Sequence, residues 1–121
     1  MSRNGRAALA LALDGACVLV FVVIGRASHA HGESLRGVAS TAWPFLAGLA
    51  GGWLAVRAWR RPQALAPAGM GAWLGTVGAG MALRVLAGQG TAAAFIVVAL
   101  VFLGLFMLGW RMLASRRGSP R

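Results

Sequence analysis

The sequence predicts an all-α integral membrane protein, with four transmembrane helices arranged as two antiparallel hairpins. Three observations predict it. The 121-residue chain is 59% hydrophobic and 12% charged, where ordinary soluble domains carry roughly a quarter of charged residues. Its apolar residues fall into four runs, about Ala7 to Ile24, Val38 to Val56, Ala68 to Ala87 and Thr91 to Ala114, each close to the ~20 residues that cross ~30 Å of hydrocarbon. Between the runs stand segments rich in turn and helix-breaking residues, "GRASHAHGESLRG", "RAWRRPQALAP" and "GQG", the last short enough to force a tight hairpin between helices 3 and 4. Residues 1–114 thus read as one four-helix transmembrane domain and 115–121 as a basic, disordered cytoplasmic tail.

The charge pattern orients the bundle. All twelve cations are arginines, against the two acids Asp14 and Glu33, for a formal net charge of +10. Such an excess points to nucleic acid or anionic lipid. The arginines occupy the gaps between apolar runs, not one wetted face with a recognition helix or interleaved aromatics, so the bilayer is the expected partner and nucleic acid is not. Arg3, Arg6, Arg57, Arg60, Arg61, Arg111, Arg116, Arg117 and Arg121 fall on one side, and Arg26, Arg36 and Arg84 on the other. Because cytoplasmic segments retain positive charge, both termini are expected inside, in the plasma membrane. The inner arginines would meet anionic lipids of the inner leaflet at up to ~1 kcal/mol each. Trp53, Trp59, Trp73 and Trp110 fall near the predicted inner boundary and Trp43 near the outer one, where amphipathic rings sit at headgroup level.

The first run, flanked by arginine and followed by "ASHA", has the outline of a signal peptide. Its length and its internal aspartate favour retention as a span. "DGAC" resembles a lipoprotein cleavage box ending at Cys17, but Asp14 spoils the match, and a lone cysteine says nothing of redox compartment. Gly48 and Gly52 lie four apart on helix 2, as do Gly71 and Gly75 on helix 3. Such spacing would let backbones approach closely where no hydrophobic effect drives association.

Candidate chemistry centres on intramembrane polar groups, Asp14, Thr76 and Arg84. A charge at the middle of a span costs roughly 2.5–3.5 kcal/mol on insertion scales and needs compensation. At ~1.5 Å per residue Asp14 lies about 10 Å below the inner boundary and Arg84 about 24 Å, which separates them by more than one arginine's reach. Thr76 is level with Asp14, so a neutral carboxyl hydrogen-bonded to Thr76 or to a water is the expectation. The contrasting reading is a proton-carrying or ion-binding carboxyl. Outside, Arg26, His29 and Glu33 form a loop cluster with His31 and Arg36. "HAH" can present two imidazoles to Zn or Cu(II), with Glu33 as third ligand, but the neighbouring arginines oppose a divalent cation, and no metal is expected. Arg84 is expected to snorkel outward and bond Glu33 or carbonyls near His29.

No nucleophile elbow, HExxH, CxxC or phosphate-cradling loop is present in the sequence, and paired mid-span histidines for haem are lacking, so neither enzyme activity nor a cofactor is expected. "LALD" in helix 1, "IGRASH" leaving it, "TAWPFLAG" in helix 2, "GMALR" with "GQGTAAAF" across the last hairpin, and "FLGLFMLGWR" at the end resemble the small actinobacterial four-helix membrane proteins grouped as a domain of unknown function, DUF3054. The resemblance spans nearly the whole chain and rests on Asp14, Arg26, Ser28, His29, Thr41, Trp43, Pro44, Arg84, Gly90, Thr91, Trp110 and Arg111; His31 and Glu33 fall outside it. It implies a four-helix membrane protein and assigns no catalytic role. Two functions follow as expectations: a non-enzymatic accessory or scaffold subunit in a homo-oligomer or larger membrane complex, or a small oligomeric transporter or proton-conducting unit using Asp14 and Arg84. A water-filled cavity reaching Asp14 would favour the second.

Overall fold

Four helices, each with one narrow buried stripe, make up the computed structural model, which describes residues 2–28, 35–89 and 93–118. The first, α1, spans Arg3–Ser28 and the second, α2, Leu35–Val56. A short 3-10 turn at Ala58–Arg60 leads into α3, residues 65–86. The last, α4, spans Ala93–Gly118. Residues 115–118 are therefore helical, because the helix continues past the apolar run into "SRRG".

α3 opens with a kinked turn at Leu65–Gly69, where Ala66 is extended (φ -132°, ψ 138°), and continues through α-helical pieces at Met70–Leu74 and Gly80–Leu86 and a π-helical turn at Gly75–Ala79. Met70, Leu74, Gly75, Ala79 and Gly80, at the junctions, all keep right-handed helical backbone, so the pieces continue one another.

Among the described residues two helices are long and apolar enough to cross a membrane, over Asn4–Arg26 and Ala93–Ser115, 23 residues each. At ~1.5 Å per residue that length exceeds the hydrocarbon core. In α2 the apolar residues are diluted by glycine, tryptophan, serine, threonine and an internal Pro44.

The stripes follow helical periodicity. On α1 the buried residues include Ala10, Asp14, Val18 and Phe21; on α2, Ala42, Phe45, Leu49 and Trp53; on α4, Ala99, Leu103, Met107 and Arg111. Phe21 packs edge-on against Phe45, with ring centroids 5.7 Å apart, and stacks with Phe95 at 5.8 Å. α2 and α3 share the most extensive interface, while α1 touches α2 and α4, and α3 touches α4.

Glycine explains how close α2 and α3 come. A methyl group on Gly48 would sit 2.6 Å from the Gly75 carbonyl oxygen and 2.8 Å from the Gly80 nitrogen, and one on Gly52 would strike the Gly71 carbonyl. One on Gly75 would meet the Gly52 Cα at 2.6 Å, and one on Gly71 the Val56 side chain at 2.5 Å. Gly48, Gly52, Gly71 and Gly75 therefore all lie on the α2–α3 contact, where backbones touch because no Cβ intervenes.

Pro44 has a consequence at the far end of α2. It lacks the N–H that would bond the carbonyl of Ser40 four residues earlier. That carbonyl accepts instead from the side-chain amide of Gln89, at 3.3 Å, and the Gln89 Oε1 accepts from Arg84 Nη1 at 2.8 Å. One missing donor in α2 thus ties α2 to the end of α3.

Candidate functional site: a buried carboxylate and its four donors

Asp14 and Arg111 stand at equivalent places, each on the buried stripe of its helix, and the packing of α1 against α4 brings them together. The guanidinium meets the carboxylate in a two-pronged pair, Nη1 to Oδ1 at 2.8 Å and Nη2 to Oδ2 at 2.7 Å, with both side chains fully buried. Two indoles complete the shell. Trp53 Nε1 donates to Oδ2 at 2.9 Å and Trp110 Nε1 to Oδ1 at 3.0 Å. A carboxylate has about four acceptor positions, and here each oxygen accepts two hydrogen bonds. No position is left for a proton, so this geometry selects the ionised form.

Arg111 is held as firmly from its own side. Its Nε donates to the Pro62 carbonyl at 2.9 Å, in the turn between α2 and α3, and its Nη1 also donates to the Met107 carbonyl at 3.1 Å. The guanidinium carbon lies 4.4 Å from the centre of the Trp110 ring. Gly69 lets this happen, since a methyl there would come within 2.9 Å of Arg111 Cδ and of a Leu108 methyl. One side chain of α4 thus gathers α1, α2 through Trp53, and the turn that enters α3.

This overturns the pairing of Asp14 with Thr76 and the neutral carboxyl that went with it. Thr76 is buried but turns its hydroxyl back to the Ala72 carbonyl at 2.6 Å, the bond a helical threonine makes with its preceding turn. With that partner taken and a guanidinium beside it, Asp14 has no use for the threonine. Three indoles near the ends of the apolar runs have internal partners. Trp53 and Trp110 spend their N–H groups on Asp14, and Trp73 donates to the Leu100 carbonyl at 2.9 Å across the α3–α4 seam. Trp43 and Trp59 are partly exposed.

Arg84 lies elsewhere, bonded to Gln89, with its guanidinium carbon 4.7 Å from the Phe95 ring centre and 5.8 Å from that of Phe45. Aromatic faces stabilise a cation there. Arg26 Nη1 donates to the Thr41 hydroxyl at 3.1 Å, linking the end of α1 to the start of α2. His29, His31 and Glu33 lie outside the described residues, and so does any bond between them and Arg84 or Arg26. Among the described residues no group of three or more histidine, cysteine or acidic side chains is placed to hold a metal.

The pairing of Arg111 with Asp14 is not read from the sequence, where Arg111 is named only in the family resemblance and among the cytoplasmic arginines. A signal was available: Arg111 is followed by the apolar Met112, Leu113 and Ala114. An arginine with apolar residues on both sides needs a counter-charge, and the sequence offers only two acids, one of them in an apolar run.

Fold and site together define a small helical bundle closed by an internal ion pair whose carboxylate accepts four hydrogen bonds. The chain belongs to the family described as Protein of unknown function (DUF3054), whose model matches residues 11–114. No curated protein and no solved structure matches it. Seven of the residues that carry the resemblance fall in two polar ties. Asp14, Trp110 and Arg111 make one; Arg26 with Thr41, and Arg84 with the carbonyl freed by Pro44, make the other.

Proposed function

We propose that the chain is a multi-pass plasma-membrane protein, four transmembrane helices in two antiparallel hairpins with both termini cytoplasmic, and that it acts as a non-enzymatic accessory or scaffold subunit. The observation that carries the membrane reading is the inverted distribution of polarity. Charged and hydrogen-bonding groups pair inside the bundle, while its outer faces are oil: on α4, Val97, Val101, Leu105 and Leu113 are more than half exposed, and on α1 Leu9, Leu19 and Ile24 nearly half. A soluble protein rarely leaves so continuous an apolar surface in water.

The scaffold reading rests on the saturation of Asp14. A carrier carboxyl must exchange its proton or ion with water. This one is fully buried and holds four donors, so each cycle would break an ion pair and strand a guanidinium. Arg84, the other half of the transport reading, is engaged with Gln89 and two phenylalanines. A rigid internal pair suits a protein whose task is to hold a shape for neighbours in the membrane.

Two measurements test this. Cysteines introduced at Ser34 and Gln63 should label from outside and only after the membrane is breached, respectively, and the reverse pattern would invert the topology. Proteoliposomes under a pH gradient should leak protons no faster than protein-free vesicles. Flux above that background, lost in Asp14→Asn, would establish the transporter instead.

A further inference from the structure

The turn leaving α2 carries three arginines within five residues, Arg57, Arg60 and Arg61, all exposed. They line one cavity of about 190 Å³, whose apolar wall includes Val56, Pro67 and Ala68. The turn is built, not slack. Arg57 leaves the helix in the left-handed conformation, φ 51° and ψ 53°, which a bulky side chain rarely adopts. The Arg60 N–H bonds back to the Arg57 carbonyl at 3.0 Å, and the Ala64 N–H to the Arg61 carbonyl at 3.0 Å. Ala58 is buried beneath the turn, and the Pro62 carbonyl is held from below by Arg111 Nε.

Three cations within five residues attract an anion. Among the described residues the acidic side chain is Asp14, and its acceptors are already taken by Arg111, Trp53 and Trp110. The counter-charge must therefore come from outside these residues. Guanidinium groups match the oxygens of phosphate geometrically as well as electrically. A cavity whose lining combines three arginines with an apolar wall suits an anion that carries hydrocarbon.

We propose that this cavity binds a phosphate group, and that the group is the headgroup phosphate of an anionic phospholipid, with the lipid's apolar part laid against Val56, Pro67 and Ala68. The lipid source rests on the membrane reading above, which puts this turn at the inner leaflet. The phosphate chemistry does not.

The test uses the full chain purified in neutral detergent and titrated with phosphatidylglycerol, phosphatidylcholine or inorganic phosphate, read by native mass spectrometry and thermal stability. Phosphatidylglycerol should form a one-to-one adduct and raise the Tm, and phosphatidylcholine should do neither. In Arg60→Gln/Arg61→Gln the affinity should fall about thirtyfold, as two arginines at an anionic surface imply. Arg116→Gln/Arg117→Gln, which removes equal charge from the tail, should change it less than about twofold. Equal loss in the two double variants would show diffuse attraction and overturn the site, as would unchanged binding in the first or equal binding of phosphatidylcholine. Displacement of the lipid by millimolar inorganic phosphate would overturn the lipid assignment. Should the double variant not fold, Arg60→Gln alone should weaken binding about fivefold, and an unchanged affinity would overturn the site. Release of the chain from membranes by an alkaline wash would defeat the membrane reading alone, because the detergent titration reports the site regardless of insertion.

Discussion

Arg111, near the end of the last helix, holds both carboxylate oxygens of Asp14 from the first, at 2.8 and 2.7 Å, with neither side chain exposed. The pair joins residues 97 positions apart in the chain. Burying two charges is costly, and the cost is recovered only where geometry is good and the remaining hydrogen-bonding positions are filled. The two indoles fill the carboxylate's remaining positions, and the Pro62 and Met107 carbonyls take two of the guanidinium's remaining three N–H groups.

The first consequence is spectroscopic. Infrared difference spectra between the protein and Asp14→Asn, in detergent at neutral pH, should show loss of a carboxylate stretch. Loss of a protonated carbonyl band would mean that the four-donor shell is misassigned.

The indole donors should matter separately from ring packing. Trp53→Phe and Trp110→Phe keep an aromatic ring and remove one N–H each, so each should lower stability by about 1.5–3 kcal/mol, the range for hydrogen bonds to charged groups. Trp59→Phe, at a partly exposed ring, should change it by less than about 0.5 kcal/mol. Equal effects at all three positions in chemical unfolding would contradict the assignment.

Much of this architecture is legible in the sequence, and the failures have identifiable physical causes. Apolar runs and breakers locate four helices because bilayer-length hydrophobicity is a strong, local signal. The Asp14 site is not local. Arg111 stands three residues before the end of its apolar run and so counts with the inner-side arginines, but α4 continues to Gly118 and Arg111 falls on its buried stripe with Ala99, Leu103 and Met107. A tryptophan near a run's end reads as a headgroup anchor, and only tertiary packing reveals that Trp53 and Trp110 point at a carboxylate. The role of Gln89 was invisible for a similar reason: its acceptor exists because Pro44, 45 positions away, lacks an N–H.

Neighbouring glycines in α2 offer an internal control. A methyl at Gly51 meets nothing within 4 Å, whereas one at Gly52 strikes the Gly71 carbonyl. Gly51→Ala should be neutral or slightly stabilising, since alanine is the better helix former. Gly52→Ala should push α3 away at about 1–3 kcal/mol or more, as overpacking does. Comparable melting temperatures for the two variants would show that the α2–α3 approach is looser than described.

At the other end of the bundle, Arg84→Leu should release Gln89 from its link to Ser40 and remove the cation from Phe95 and Phe45. Stability should fall by about 1–2 kcal/mol, and limited proteolysis between α3 and α4 should accelerate. Unchanged cleavage would separate Arg84 from the ordering of that connection.

The most direct test of the central claim, that an ionised Asp14–Arg111 pair locks the bundle, is a double-mutant cycle with leucine read by reversible unfolding in detergent. Asp14→Leu should cost about 3–5 kcal/mol, because the abandoned guanidinium cannot shed its charge. Arg111→Leu should cost less, since a carboxyl left alone can take up a proton. The double variant should lose far less than the two single losses added together, the signature of a pair whose members matter only to each other. Losses that simply add, with Asp14→Leu no worse than Arg111→Leu, would contradict it.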